Sequence, residues 1–221
     1  MPGADHDKAV TYTTYLKVDE LLSLQQPLSD GPEHDELLFI TIHQVYELWF
    51  QQILHELAAL QPALEAGDTH RCLALLGRVR SIMKTCVQQI DVLETMTPLQ
   101  FQSFRARLSS ASGFQSAQFR ELEAVLGRRD HAGADAAQGS GMKMAEHLVP
   151  GSSARVRVEA AMSRPSVWDS AMRYCNQRGH AMPVDALTRD VTTPWEPRED
   201  VQAVLVTLHH SDPESSLVCE A

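Results

Sequence analysis

The chain has 221 residues, 43% of them hydrophobic and 22% charged, and its 19 Lys and Arg against 29 Asp and Glu give a formal net charge of −10. This length fits a single domain with a sizeable core, and the composition argues against a disordered chain. The acidic balance argues against nucleic-acid binding and the lack of a long apolar run against a membrane span. The polar N-terminus has no signal-peptide pattern, so the sequence predicts a cytoplasmic protein.

Helical patterns dominate the first half of the chain. Residues 1–11 are expected to form a flexible tail and residues 12–24 a short helix. The strongest pattern covers residues 33–66, where apolar side chains recur every three or four positions around almost the whole circumference. This pattern predicts a long helix that is buried on most sides. A second amphipathic helix is predicted over residues 69–96.

The second half is predicted from caps and chain breakers. Thr97-Pro98 is a strong helix start, because an N-cap residue precedes Pro at the first helical position. The remaining helices are predicted at residues 98–108, 114–126, 154–162, 166–178 and 200–209. Residues 128–153, rich in Gly, Ala and Ser, are expected to form a flexible insert. No strand pattern is found, so the fold class is all-α, a helical bundle in one domain.

The four cysteines give no sign of a metal or redox motif. None belongs to a C-x-x-C pair, which argues against a zinc ribbon or a thioredoxin-like site. Cys72 and Cys86 lie on the apolar side of the second helix and are predicted to be buried free thiols.

One stripe of the long helix carries a histidine among aromatic residues. Phe39, His43, Tyr46 and Phe50 follow each other at helical spacing on an otherwise apolar helix. A histidine here is either a satisfied core residue or a functional group, and spacing alone favours the first. His43 and Glu47, four residues apart, are a weak candidate metal pair, because catalytic metal sites need about three protein ligands.

Two further segments have both a functional and a structural interpretation. Arg105 lies one turn from Phe101 and close to Phe104, where it can clamp a carboxylate beside an aromatic ligand or cover its helix with an exposed stem. The Ser-rich stretch at residues 109–113 is either an anion-binding loop or a capped turn.

Several motifs, in the same order along the chain, resemble the tryptophan 2,3-dioxygenase family. They lie at residues 12–16, 34–40, 43–50, 96–99, 104–105, 112–116 and 118–120, and more loosely at residues 164–169 and 189–192. The resemblance implies an all-α fold of the tryptophan/indoleamine 2,3-dioxygenase type and a homotetramer. It also implies a haem b cofactor, with L-tryptophan and O2 as substrates. The implied reaction inserts O2 across the indole C2–C3 bond to give N-formyl-L-kynurenine, the first step of the kynurenine pathway.

The resemblance also implies roles for individual residues. His43 is expected to be catalytic and to hydrogen-bond the indole N–H. The expected substrate-binding residues are Phe39, Ile40, Thr41, Ile42, His43, Phe101 and Arg105, with Arg105 on the substrate carboxylate. The expected cofactor-binding residues are Tyr12, Tyr15, Leu16 and Ser112, the first three reaching the pocket of a neighbouring subunit.

The proximal histidine that ligates the haem iron in this family has no counterpart in residues 1–221, and we therefore expect a C-terminally shortened chain, a fragment or a short paralogue. The missing segment is expected to leave apolar faces uncovered. His180, His209 and His210 are poor substitutes, because an axial ligand needs a buried, oriented imidazole. Two alternatives stay open at this point: a related haem-dependent aromatic oxygenase of secondary metabolism, and a non-catalytic helical interaction protein.

Overall fold

The computed structural model describes residues 10–31, 33–109, 111–130 and 144–221. Within these ranges all regular structure is helical, which confirms the predicted all-α class. The α-helices are α1 (Tyr12–Leu16), α2 (Val18–Leu22), α3 (His34–Glu65), α4 (Thr69–Leu93), α5 (Pro98–Arg105), α6 (Ala117–Leu126), α7 (Ser153–Met162), α8 (Val167–Gln177), α9 (Val184–Leu187), α10 (Glu199–Ser211) and α11 (Pro213–Glu220). Part of the expected tail, residues 1–9, lies outside the described residues.

The N-terminal helix predicted over residues 12–24 is wrong, because the chain forms two short helices there. Lys17 ends α1 and begins α2 in a left-handed conformation, with φ of 50°. A left-handed residue cannot continue a right-handed helix, so α1 and α2 point in different directions. Thr11 caps α1, and its side-chain oxygen accepts a hydrogen bond from the Thr14 N–H.

The long helix α3 is the axis of the fold, and its two halves have different environments. Acidic Asp35 and Glu36 in its first turn favour the helix N-terminus through the helix dipole. α4, α6 and α8 pack against it, and most of its buried residues lie from Ile53 onward. The buried residues of this core include Ile53, Leu57, Leu60 and Leu64 of α3, Leu75, Val79 and Ile82 of α4, Leu122 of α6, and Met172 and Tyr174 of α8. The N-terminal half of α3 is only partly covered, and α5 packs on it.

The helices predicted after α4 begin within one residue of the predicted start, with one exception. Thr97 caps α5 in a capping box with Gln100, and Pro98 occupies the first turn. The predicted helix start at residue 114 is early, because Gly113–Gln115 form a 3₁₀ turn and Ser116 is the N-cap of α6. Gly127 ends α6 with φ of 121°, a conformation that favours glycine.

The expected flexible insert at residues 128–153 is packed at both of its described ends. The guanidinium of Arg129 is buried and donates hydrogen bonds to the carbonyls of Ala124, Arg164 and Val191. Residues 144–148 fold onto α6 and α7 through a small apolar cluster. The many small residues of this segment predicted flexibility, but its described ends are held by tertiary packing. The middle of the insert, residues 131–143, lies outside the described residues.

The C-terminal part contains two helices that the sequence analysis missed, α9 and α11. The helix predicted over residues 200–209 is α10, and Asp212 then caps α11, its side chain accepting from the Ser215 N–H. The two loosely similar motifs near residues 164–169 and 189–192 meet here. The guanidinium of Arg189 donates to both carboxylate oxygens of Asp169, at 2.7 and 3.2 Å, and Asp169 also accepts from Ser166.

Apolar surface stays uncovered on one side of the bundle. A groove of about 640 Å³ runs between α8, α10 and α11, and a second of about 630 Å³ follows α4. These grooves agree with the apolar faces expected from the resemblance. None of the described helices has the length and apolar character needed to span a bilayer.

Candidate functional site

An aromatic cluster forms where α5 crosses the N-terminal half of α3. Phe39 and His43, one turn apart on α3, have ring centroids 4.1 Å apart. Phe101 of α5 packs on Phe39 at 5.6 Å, and Phe104 packs edge-on against both phenylalanines. The structure therefore brings together three residues that the sequence singles out, namely Phe39, His43 and Phe101.

The imidazole of His43 has a defined orientation. Its Nδ1 lies 2.7 Å from the carbonyl oxygen of Phe39. Because a carbonyl only accepts hydrogen bonds, Nδ1 must carry the proton. In the neutral ring, Nε2 is then a hydrogen-bond acceptor. The half-buried His43 thus offers one acceptor nitrogen beside aromatic walls, which is the chemistry needed to accept an N–H from a planar ligand.

Phe104 anchors α5 against α3. It is fully buried, whereas Phe101, three residues earlier on the same helix, is half-buried. Helical spacing of three residues places both rings on one face of α5. Phe104 therefore fixes the helix, and Phe101 is the ring that remains partly accessible beside Phe39.

Arg105 is the last residue of α5 and is exposed. Its Nη1 donates to the carbonyl of Ser109 at 3.0 Å. Ser109 has φ of 49°, which a residue with a side chain rarely adopts. This strained turn leads the chain back toward the arginine and holds one edge of the guanidinium.

Ser112 begins a turn that is held in place by a residue of α3. The Ser112 N–H donates to the side-chain oxygen of Gln115, as expected for a capped turn. One turn after His43, the carboxylate of Glu47 accepts from the Ser116 hydroxyl at 2.6 Å and from the Gln118 amide at 2.8 Å. Glu47 thus ties the start of α6, and with it the turn of Ser112, to α3.

His43 also lines a cavity. The cavity measures about 340 Å³ and lies between α2, α3 and the start of α6. Its lining residues are Leu21, Leu24, His43, Gln44, Glu47, Leu48, Gln51 and Gln118. Phe101 and Arg105 do not line it, so the predicted substrate residues are divided between this cavity and the aromatic cluster.

The three residues between Phe39 and His43 point in different directions around α3. Ile42 is buried at 4% exposure, Ile40 is half-buried and Thr41 is exposed. A helix turns by about 100° per residue, so a run of consecutive residues cannot share one face. The structure therefore does not bring Ile40, Thr41 and Ile42 together with the His43 ring as a single surface.

The N-terminal residues expected at a cofactor are exposed on α1. Tyr12 and Tyr15 of α1 are 77% and 75% exposed, and Leu16 beside them is also exposed. All three lie on one face of a short helix, because they are spaced by three and four residues. They form an exposed aromatic and apolar surface.

His180, His209 and His210, expected to be poor substitutes for the iron ligand, all lie in the C-terminal part of the chain. His180 pairs with Asp212, and His209 pairs with Ser216 and Glu220. His210 is exposed, and Glu47 is occupied by its two donors. Over the described ranges, no three His, Cys, Asp or Glu side chains are grouped as a metal site.

Residues 2–215 match the family model described as tryptophan 2,3-dioxygenase. The chain belongs to the tryptophan 2,3-dioxygenase family. It is 50% identical over 216 residues to the tryptophan 2,3-dioxygenase of Anaeromyxobacter sp. (strain K), a match that covers 97% of this chain and 76% of the relative. The relative from Herpetosiphon aurantiacus is 49% identical over 213 residues, covering 96% and 77%. A more distant one from Rhodococcus jostii is 36% identical over 217 residues, covering 98% and 72%.

Membership of the tryptophan 2,3-dioxygenase family confirms the resemblance noted from the motifs. The family is haem-dependent and oligomeric, and its substrates are tryptophan and O2. Sequence reasoning missed two features of the site, the packing role of Phe104 and the anchor formed by Glu47. Phe104 has a signal in its spacing from Phe101, whereas nothing in the local sequence assigns partners to Glu47.

Proposed function

We propose that this chain acts as a haem-dependent dioxygenase, which inserts both atoms of O2 across the indole C2–C3 bond of L-tryptophan and yields N-formyl-L-kynurenine, the first step of tryptophan degradation. The observation that carries the proposal is the fixed orientation of His43. Its Nδ1 is held by the Phe39 carbonyl at 2.7 Å, which leaves Nε2 to accept the indole N–H. Family membership supplies the reaction and its substrates.

Each remaining residue has a role that its chemistry supports. Phe39 and Phe101 pack against the indole ring, because planar aromatic groups prefer such walls. Arg105 pairs with the substrate carboxylate through the guanidinium edge that Ser109 does not use. Ile40, Thr41 and Ile42 lie in the same turn of α3 and shape the helix segment that presents Phe39 and His43. Ser112, on a turn fixed by Glu47, binds near the cofactor.

The described residues fit the substrate side of a haem pocket. Aromatic walls and an acceptor histidine suit an indole. When bound, haem b supplies the activation of O2. The residues of this chain bind and orient tryptophan.

We further propose that the working form is a homotetramer in which α1 of one chain completes the pocket of another. Tyr12, Tyr15 and Leu16 give α1 an exposed apolar face. Such a face is costly in water and suits a protein contact. The family is oligomeric, and shared sites need the neighbouring chain.

The test compares tryptophan with 1-methyltryptophan, which lacks the indole N–H donor. Haem is supplied during expression, its Soret band is recorded, and kcat/KM is measured for both substrates. We expect the unaltered protein to prefer tryptophan by about tenfold or more, which corresponds to about 1.4 kcal/mol for the hydrogen bond. The variant His43→Ala is expected to lose most of this preference, because Nε2 is gone.

His55→Ala serves as the control, since His55 is an exposed histidine on the same helix, and its preference is expected to stay unchanged. An equal preference in His43→Ala and the unaltered protein refutes the role of His43. A protein without any Soret band or tryptophan turnover after haem supply refutes the proposed function.

A further inference from the structure

Two free cysteines meet at the contact between α8 and α11. The sulfur of Cys175 lies 3.6 Å from that of Cys219, and both thiols are reduced. Cys175 is buried at 1% exposure, whereas Cys219 is exposed. Both line the groove of about 640 Å³. The dioxygenase reaction uses neither of them.

A second contact beside the cysteines also joins these two parts of the chain. One turn before Cys219, the hydroxyl of Ser215 accepts from Nε of Arg178 at 3.2 Å. Arg178 in turn lies three residues after Cys175. Residues three or four apart share a helix face, so the pairs Arg178–Ser215 and Cys175–Cys219 are successive contacts between α8 and an antiparallel α11.

The pKa values of the two thiols are shifted in opposite directions, which gives the thiols different roles. The hydrogen bond from the Cys175 thiol lowers the pKa of Cys219, although burial and the carboxylates of Glu220 and Asp212 oppose this. The same bond, together with burial, raises the pKa of Cys175. A thiolate is the nucleophilic form of cysteine. Cys219 is therefore the exposed, attacking thiol, and Cys175 is the buried, resolving one.

We propose that Cys175 and Cys219 form a reversible disulfide when the protein meets hydrogen peroxide. The thiolate of Cys219 attacks one peroxide oxygen, the O–O bond breaks, and hydroxide leaves and takes up the released proton as water. The sulfur of Cys175 then attacks the sulfenic acid of Cys219, the S–O bond breaks, and a second water leaves. Two thiols are oxidised and one peroxide is reduced to two waters.

Closing the bond requires a small movement. A disulfide has sulfur atoms about 2.05 Å apart, so the gap must shorten by about 1.5 Å. The exposed last turn of α11 can supply this shift. The crosslink then holds α11 on α8 and fixes one wall of the groove.

The other two cysteines are internal controls. Cys72 is fully buried in the main core and Cys86 is half-buried on α4. Neither is hydrogen-bonded to another cysteine. An oxidant that reacts with any accessible thiol would also oxidise Cys86.

The experiment treats the full, reduced chain with hydrogen peroxide and then alkylates the remaining thiols in denaturant, so that buried cysteines also react. We expect a monomer that has lost two hydrogens in mass and alkylates at two sites, Cys72 and Cys86. Tryptic digestion without reductant is expected to give peptides 174–178 and 199–221 as one crosslinked species, which dithiothreitol separates.

The variant Cys219→Ser is expected to abolish the crosslink, and Cys86→Ser to keep it, with circular dichroism verifying that both fold. Cys219→Ala replaces the serine variant if that one does not fold. The proposal is overturned by four alkylated thiols at peroxide doses that oxidise free cysteine. It is equally overturned by dimers linked through Cys219, by a crosslink to Cys72 or Cys86, or by sulfinic acid on Cys219 in place of the disulfide.

Discussion

The ion pair between Arg189 and Asp169 predicts a large loss of stability when its cation is removed. The side chains are 13% and 4% exposed, and Arg189 donates to both carboxylate oxygens. Removing one partner of a buried pair costs roughly 3–5 kcal/mol, since the other charge stays buried. Ser166 continues to donate to Asp169, so we expect Arg189→Met to lower the free energy of unfolding by about 3 kcal/mol, near the lower end of this range.

The assay is urea unfolding followed by far-UV circular dichroism, with the dependence on urea concentration checked for a common slope. Arg198→Met is the matched control, because Arg198 also pairs with two carboxylates, Asp185 and Asp200, which are 72% and 51% exposed. Water screens such pairs, so the control is expected to change the midpoint little. If the urea midpoint of Arg189→Met is no lower than that of Arg198→Met, burial does not make the Arg189–Asp169 pair more important for stability than an exposed pair.

The same pair has a pH dependence with a definite sign. Burial alone raises the pKa of Asp169, but hydrogen bonds from Arg189 and Ser166 outweigh it and hold the pKa below its ordinary value. A carboxyl with a lowered folded pKa stabilises the fold above its unfolded pKa, about 3.9. That contribution is lost as the pH falls through this value toward the folded pKa. The free energy of unfolding of the unaltered protein is therefore expected to lose this contribution as the pH falls below about 4, and Arg189→Met, which lacks the donor, is expected to lose less.

Three further predictions concern the candidate site. Arg105→Met is expected to raise KM for tryptophan by about tenfold or more, because a desolvated carboxylate loses its partner, whereas Arg107→Met, two residues further on, is expected to leave KM unchanged; equal values disprove the carboxylate role. Glu47→Ala is expected to speed amide hydrogen exchange at residues 112–118, a change that exchange mass spectrometry detects and that should be absent in Glu65→Ala at the other end of α3. Phe104→Ala, at a fully buried position, is expected to cost about 3–5 kcal/mol in urea unfolding, and a loss below about 1 kcal/mol contradicts its anchoring role.

Local signals in the sequence predicted most of the helices, and the exceptions have physical reasons. Thr97-Pro98 and the capping box of Ser166 with Asp169 mark their helix starts in the structure. The left-handed Lys17 carries no such mark, because a lysine at positive φ is rare. α11 was missed although Asp212 is followed by Pro213, a start signal of the kind that identified α5.

The candidate site was less accessible to local reasoning than the fold. Helical spacing placed Phe39 and His43 on one face of α3, but it does not say which helix packs there. The partnership with Phe101 depends on contacts across about 60 positions of sequence, and only the family resemblance suggested it. The contacts of Glu47 with Ser116 and Gln118 are of the same long-range kind and had no sequence signal.

The uneven burial of α3 has a consequence for motion. Its 32 residues form a rod about 48 Å long, which is held firmly around Leu60 and more loosely around Phe39. His43 lies in this less buried half, which α5 covers in part. Protection of the backbone amides from hydrogen exchange should therefore decrease along α3 from Leu64 back to Phe39. A ligand bound at His43 would raise the hydrogen-exchange protection of the N-terminal half of α3. The difference in protection between the two halves of this helix would then report whether the pocket is filled.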